Sequence, residues 1–198
     1  MLNGLHTEFP NVHDAGRERH PSAQGRRGAV IWLTGLSGAG KSSLAEGLAR
    51  QLTELGHACY VLDGDVLRTG LNADLGFSAQ DRHENIRRTG EVAALFADAG
   101  LICIAALISP YREGRAAARR ACGAGFHEVH VKADLAVCEA RDPKGLYRRA
   151  RAGELPGFTG IDAPYEAPDG PELVVETGRV ALPVAVGQLL EYVLAVVR

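Results

Sequence analysis

Four cysteines, Cys59, Cys103, Cys122 and Cys138, are scattered over 198 residues, and no two of them form a C-x-x-C pair. Three lie in apolar or helical runs, where a reduced thiol behaves as a small hydrophobe, so the expected setting is a reducing cytoplasm. Neither sign of charge dominates: the formal net charge is -2 and the isoelectric point is near 6.4. Such a balance gives no global attraction to nucleic acid or to an anionic membrane, so an anion must be bound by local arrangement, and the expected partners are small molecules. No apolar run approaches the ~20 residues that span a bilayer, and the N-terminus lacks the layout of a signal peptide, so a soluble protein is expected. There are no internal repeats. The single tryptophan, Trp32, lies inside an apolar run and reads as core, with no function assigned.

A length of 198 residues suits one domain. Residues 1–27 are polar and rich in His, Arg, Gly and Pro, which predicts a flexible N-terminal tail. His6, His13 and His20 recur in that tail without apolar company, and no metal site is expected there. From residue 28 the texture changes to the short apolar runs AVIWL, HACYVL, LICIAAL, HEVHV and ELVVE, separated by amphipathic segments. Five strands with helical crossovers predict an α/β fold, a five-stranded parallel sheet flanked by helices on both faces, extending over 28–198. The first helix is expected to stop at Gly56, and the segment LPVAVGQLLEYVLAVVR reads as a last helix packed on the sheet.

Gly35 to Ser42 fits G-x-x-x-x-G-K-[ST], and it stands between a strand and an amphipathic helix, as a P-loop requires. The positions Gly35, Leu36, Ser37, Gly38, Ala39, Gly40, Lys41, Ser42 and Ser43 are therefore assigned to a nucleoside triphosphate. Backbone N–H groups and the helix N-terminus would meet phosphate oxygens, Lys41 would reach the outer phosphates, and Ser42 would hold Mg²⁺.

The second strand runs into LDGDVLRTGL, which puts Asp63 and Asp65 at the carboxyl end of a parallel strand, where open α/β sheets build their sites. Asp63 is the candidate to orient or deprotonate an attacking hydroxyl, and Asp65 is the better candidate to cap a short helix starting at Val66. Next, Ser78 and Asp81 mark a helix start and Gly100 its end. On that helix Ile86, Thr89, Ala93, Phe96 and Ala97 share a face, and Arg82 and Asn85 project from the same side. With Arg68 these residues would suit an anionic acceptor, which a sugar acid and a nucleotide satisfy equally. Ser109 ends the third strand, where it can bind substrate, accept phosphate if a base activates it, or simply form a turn before Pro110. The basic segment RDPKGLYRRARAGELPGFTGID can close over phosphates, with Arg141 and Lys144 its better ligands.

The blocks GLSGAGKSSLA, LDGDVLRTGLNADLGFSAQDRHENIRRTGEVAALFADAGLICIAALISPY, EARDPKGLYRRARAGELPGFTGID and YEAPDGPEL, taken in order, resemble the adenylylsulfate kinases. The resemblance covers about residues 28–175 and implies the P-loop NTPase fold, ATP as donor, Mg²⁺ as cofactor, and the ribose 3'-hydroxyl of adenylyl sulfate as acceptor. It further implies acceptor contacts from Arg68, Phe77, Arg82, Asn85 and Ile86, the Phe77 ring stacking on adenine, and from Lys144 and Phe158 on a closing lid. Ser109 matches the serine described in this family as a phosphorylated intermediate, although direct in-line transfer needs none. The family also implies a homodimer that is fused to, or works beside, ATP sulfurylase. Leu107 stands where the family usually has Phe, and Ser43 where it has Thr. Two other readings stay open on the residues alone: a P-loop kinase of a nucleoside monophosphate or hydroxy acid, and a nucleotide-gated regulator without turnover.

Overall fold

A computed structural model describes residues 28–197; the tail 1–27, with its three histidines, lies outside the described residues. Five strands form one all-parallel sheet in the order β2-β3-β1-β4-β5: β1 Ala29–Thr34, β2 Cys59–Asp63, β3 Ile102–Ala106, β4 Phe126–Val131 and β5 Leu173–Val175. All five coincide with the apolar runs read from the sequence. The helices are α1 Lys41–Glu54, α2 Gly64–Leu67, α3 Ala79–Asp98, α4 Arg112–Cys122, α5 Leu135–Arg141, α6 Leu146–Arg151 and α7 Leu182–Val196.

The central strand β1 is buried at every position, as a strand flanked on both sides and covered on both faces must be. Its side chains alternate between two cores. Ile31 and Leu33 meet Leu44, Leu48 and Leu52 of α1 and Leu189 and Val193 of α7. Val30 and Trp32 face the other way, among Ile86 and Ala93 of α3 and Ala118 of α4. At Gly90 the two helices approach so closely that a Cβ would lie 3.0 Å from the Ala118 Cα, so a larger residue there would have to push α4 outward by a few tenths of an ångström.

Helix ends follow local chemistry. Gly56 donates to Thr53 O and His57 to Leu52 O, closing α1 at the glycine where the sequence reading stops it. Ser78 Oγ accepts from the Asp81 amide at 3.1 Å and donates to its carboxylate at 2.7 Å, fixing the start of α3. The short helix after β2 differs from expectation: it begins at Gly64, two residues earlier, and its cap is Asp63 rather than Asp65. The Asp63 carboxylate accepts from the Asp65 amide at 2.9 Å, so the chain turns directly off the strand. The phosphate loop, Asp63 and the Ser109 turn thus stand side by side at the carboxyl edge of β1, β2 and β3, where ligands of open α/β sheets bind.

Candidate active site

One cleft of about 1430 Å³ opens along that edge. At its floor the phosphate loop turns through Gly38 at φ 74°, where an added Cβ would stand 2.8 Å from the Cys138 carbonyl oxygen. Thr177 Oγ donates to Ala39 O at 2.7 Å, and Arg141 donates to Gly38 O and Thr177 O, so the loop is pinned to the end of β5. Ser37, Gly38, Gly40, Lys41, Ser42 and Ser43 line the cleft, whereas Gly35, Leu36 and Ala39 form the inner side of the loop, with Ala39 in the core.

Lys41 is 9% exposed, and its ammonium donates to Gly35 O at 3.0 Å and Leu36 O at 2.7 Å. Burial lowers its pKa to about 8 from 10.5, because desolvation disfavours the charged form. Ser42 Oγ donates to Asp63 Oδ2 at 2.7 Å while Asp63 Oδ1 holds the Asp65 amide. One carboxylate therefore touches the donor loop and heads the acceptor wall.

On that wall the Arg68 guanidinium lies 4.2 Å from the centre of the Phe77 ring and donates to Leu75 O and Gly76 O. Phe77 itself is 67% exposed, an apolar ring held at the mouth of a cleft. Burial, with the Arg82 charge second, pushes the Arg68 guanidinium below its ordinary value, against the opposing pull of Asp65 and Asp81. Arg82 donates to Phe77 O, to Gly157 O at 2.7 Å and to Thr159 Oγ, reaching from α3 to the loop after α6. Asn85 is buried and accepts from Asn72 Nδ2 at 2.7 Å; Ile86 is buried beside it.

The segment after α5 covers this wall. Lys144 pairs with Asp65, Phe158 packs edge-on against Tyr147 at 5.1 Å, and the Tyr147 hydroxyl donates to Ser37 O of the phosphate loop. Arg149 lines the cleft and pairs with Glu154, whereas Arg151 pairs with Glu139 and is not part of the lining. Ser109 lines the cleft at 2% exposure, with φ at 40°.

A model of the adenylylsulphate kinase family matches residues 27–176. The chain belongs to the adenylylsulphate kinase family. It is 53% identical over 184 residues to a probable adenylyl-sulfate kinase of Bacillus subtilis, covering 91% of this chain and 93% of that one. To an adenylyl-sulfate kinase of Paraburkholderia xenovorans it is 58% identical over 172 residues, covering 87% and 96%. Among solved structures, the Mycobacterium tuberculosis APS kinase in complex with AMPPNP and APS superposes with a TM-score of 0.82 at 49% identity, over 84% of this chain and 98% of that one. A hexameric APS kinase from Thiobacillus denitrificans matches at 36% identity with a TM-score of 0.66, over 86% of this chain but 29% of that one.

Within this adenylylsulphate kinase chain, several contacts around the cleft are not legible in the sequence. Tyr147, Thr159 and Thr177 act through backbone carbonyls or one guanidinium, and Asn72 orients Asn85 across thirteen positions of sequence. None belongs to a fixed-spacing motif. Only the placement of Tyr147 and Thr159 in a Gly-rich basic segment was a signal.

Proposed function

We propose that this chain transfers the γ-phosphoryl group of ATP to the ribose 3'-hydroxyl of adenylyl sulfate, forming 3'-phosphoadenylyl sulfate and ADP. The observation that carries this reading is a single cleft shared by the phosphate loop and the wall of Asp63, Arg68, Phe77, Arg82 and Asn85. The relative solved in complex with AMPPNP and APS has the same fold at 49% identity, which supports both substrates.

The loop amides and the N-terminus of α1 bind the triphosphate, and Lys41, turned away from its carbonyl partners, stabilises charge on the transferring group. The hydroxyl of Ser42 beside the carboxylate of Asp63 is an oxygen pair suited to Mg²⁺ that enters on the nucleotide. When bound, that ion would supply positive charge against the phosphates. Asp63 orients the 3'-hydroxyl and takes its proton as the new O–P bond forms and the bond to ADP breaks. The Phe77 ring offers a face to adenine, Arg68, Arg82 and Lys144 balance the acceptor's anionic groups, and Phe158 with Ile86 closes the apolar side. Direct in-line transfer is the simpler reading, supported by the hydrogen bonds of Ser109 Oγ among the described residues, which run to an indole N–H and a carbonyl, neither of them a base.

The setting is part of the same proposal. Residues 28–198 act as one kinase domain in the cytoplasm, as a homodimer beside ATP sulfurylase. No helix among the described residues is long and apolar enough to cross a membrane, and no two of the four cysteine sulfurs are joined.

ADP release is to be measured with adenylyl sulfate, AMP and shikimate in parallel. Release driven by adenylyl sulfate alone supports the reading. Faster release with AMP or shikimate, or ATP binding without acceptor-dependent release, would replace it with one of the two alternatives.

A further inference from the structure

Trp32 reads from the sequence as a core residue, and it is fully buried. Yet its indole Nε1 donates to Ser109 Oγ at 3.1 Å, across 77 positions of sequence. An indole N–H can only donate, so it occupies a lone pair of the serine oxygen. Among the described residues the serine's own proton has one acceptor, Leu107 O, at a long 3.4 Å. A hydroxyl held this way keeps its proton for an acceptor in the cleft that it lines.

The rest of the turn is fixed just as firmly. Ser109 sits at φ 40°, a region that L residues other than glycine rarely adopt and that the surroundings must enforce. Arg115, 2% exposed, donates to Ser109 O at 2.7 Å, to Glu128 at 2.5 Å and to Glu166 O at 2.7 Å. Thr34 donates to Ile108 O at 2.8 Å, which leaves the Tyr165 hydroxyl to donate to Thr34 Oγ. Backbone and side chain of one residue are therefore held from β1, α4 and the segment at 165–166.

We propose that Trp32 is a positioning residue that presents the Ser109 hydroxyl as a hydrogen-bond donor to a phosphate or sulfate oxygen of the bound nucleotides. This rests on the reading of the cleft as a phosphoryl-transfer site. Arg115 and Thr34 hold the peptide, and Trp32 aims the hydroxyl.

The chain has one tryptophan, so global replacement of tryptophan by 3-benzothienylalanine changes residue 32 alone and keeps the ring shape while deleting the N–H. The expected result is a kcat lowered roughly 3- to 10-fold, the loss of one neutral hydrogen bond, with the KM for ATP unchanged. In a Ser109→Ala background the same replacement should change kcat by less than about twofold, because the bond is already gone. Equal losses in both backgrounds, or none in either, would make Trp32 packing only. Trp32→Phe is the second variant and should follow the same pattern. A readout independent of turnover is the single ¹⁵N indole resonance of the full chain: it should shift in Ser109→Ala, and an unmoved signal overturns the proposal. Absence of turnover by the unsubstituted chain would instead overturn the function proposed above and leave the indole resonance to decide the bond.

Discussion

The two halves of the cleft are built by opposite means. The donor half grows from the centre of the sheet: its loop follows the fully buried β1, its lysine is buried, and Thr177 and Arg141 fasten it to the end of β5. The acceptor half stands over the edge strand β2, with Phe77 67% exposed and its charged groups held by long side chains reaching backbone carbonyls. A triphosphate can be met by a rigid, preformed cradle, whereas an acceptor that must enter and leave needs a wall that opens. Asp63 touches both, through Ser42 on one side and the start of α2 on the other.

Breaking that shared point should cost most. Asp63→Asn keeps the shape but lowers the basicity, and kcat should fall by about 10³- to 10⁴-fold in steady-state assays saturated in both substrates. Next comes the donor half alone: Lys41→Met should lower kcat roughly 10²- to 10³-fold while leaving binding of adenylyl sulfate, measured by calorimetry, within about twofold. In the acceptor half, Arg82→Ala should raise the KM for adenylyl sulfate about 10- to 100-fold, with the KM for ATP unmoved, because it deletes charge-assisted bonds on one wall only. If the ATP constant moved equally, the division into two halves would fail.

The halves also differ in what titrates. With Lys41 lowered to about 8 by burial, kcat/KM for ATP should decline above about pH 8 as the ammonium is lost. The other wall relies on guanidinium groups, a side chain that keeps its charge across this range, so a pH profile in adenylyl sulfate at saturating ATP should be flatter. For stability the sign is opposite. Between about 8 and 10.5 the folded chain binds fewer protons at Lys41 than the unfolded one, so this group's contribution to stability rises with pH across that window. The smallest effect belongs to the joint between the halves: Tyr147→Phe removes the bond to Ser37 O and should lower kcat about 3-fold, with little change in thermal midpoint.

The same contrast explains what the sequence revealed. The donor half was readable as a motif because phosphate binding needs glycines, a lysine and a hydroxyl at fixed spacing. Arg82 and Asn85 were readable from helix periodicity, and the five strands from their apolar runs, because burial imposes a period. The cap on α2 is Asp63 rather than the Asp65 the sequence suggests, since a carboxylate at a strand end can bond two residues ahead as easily as it can await substrate. What the sequence hid were pairings across long separations, Trp32 with Ser109 and Arg115 with Glu128 and Glu166, in which an ordinary core or surface residue acquires a role only when the sheet brings the partners together.

The central claim, that the cleft directs the 3'-hydroxyl of the acceptor onto phosphate held by the loop, is tested most directly by locating the transferred group. After turnover with γ-³²P-labelled ATP and adenylyl sulfate, treatment of the purified nucleotide product with a 3'-nucleotidase should release all of the label as inorganic phosphate. Label resistant to that enzyme, or label found only as phosphate before its addition, would contradict the account.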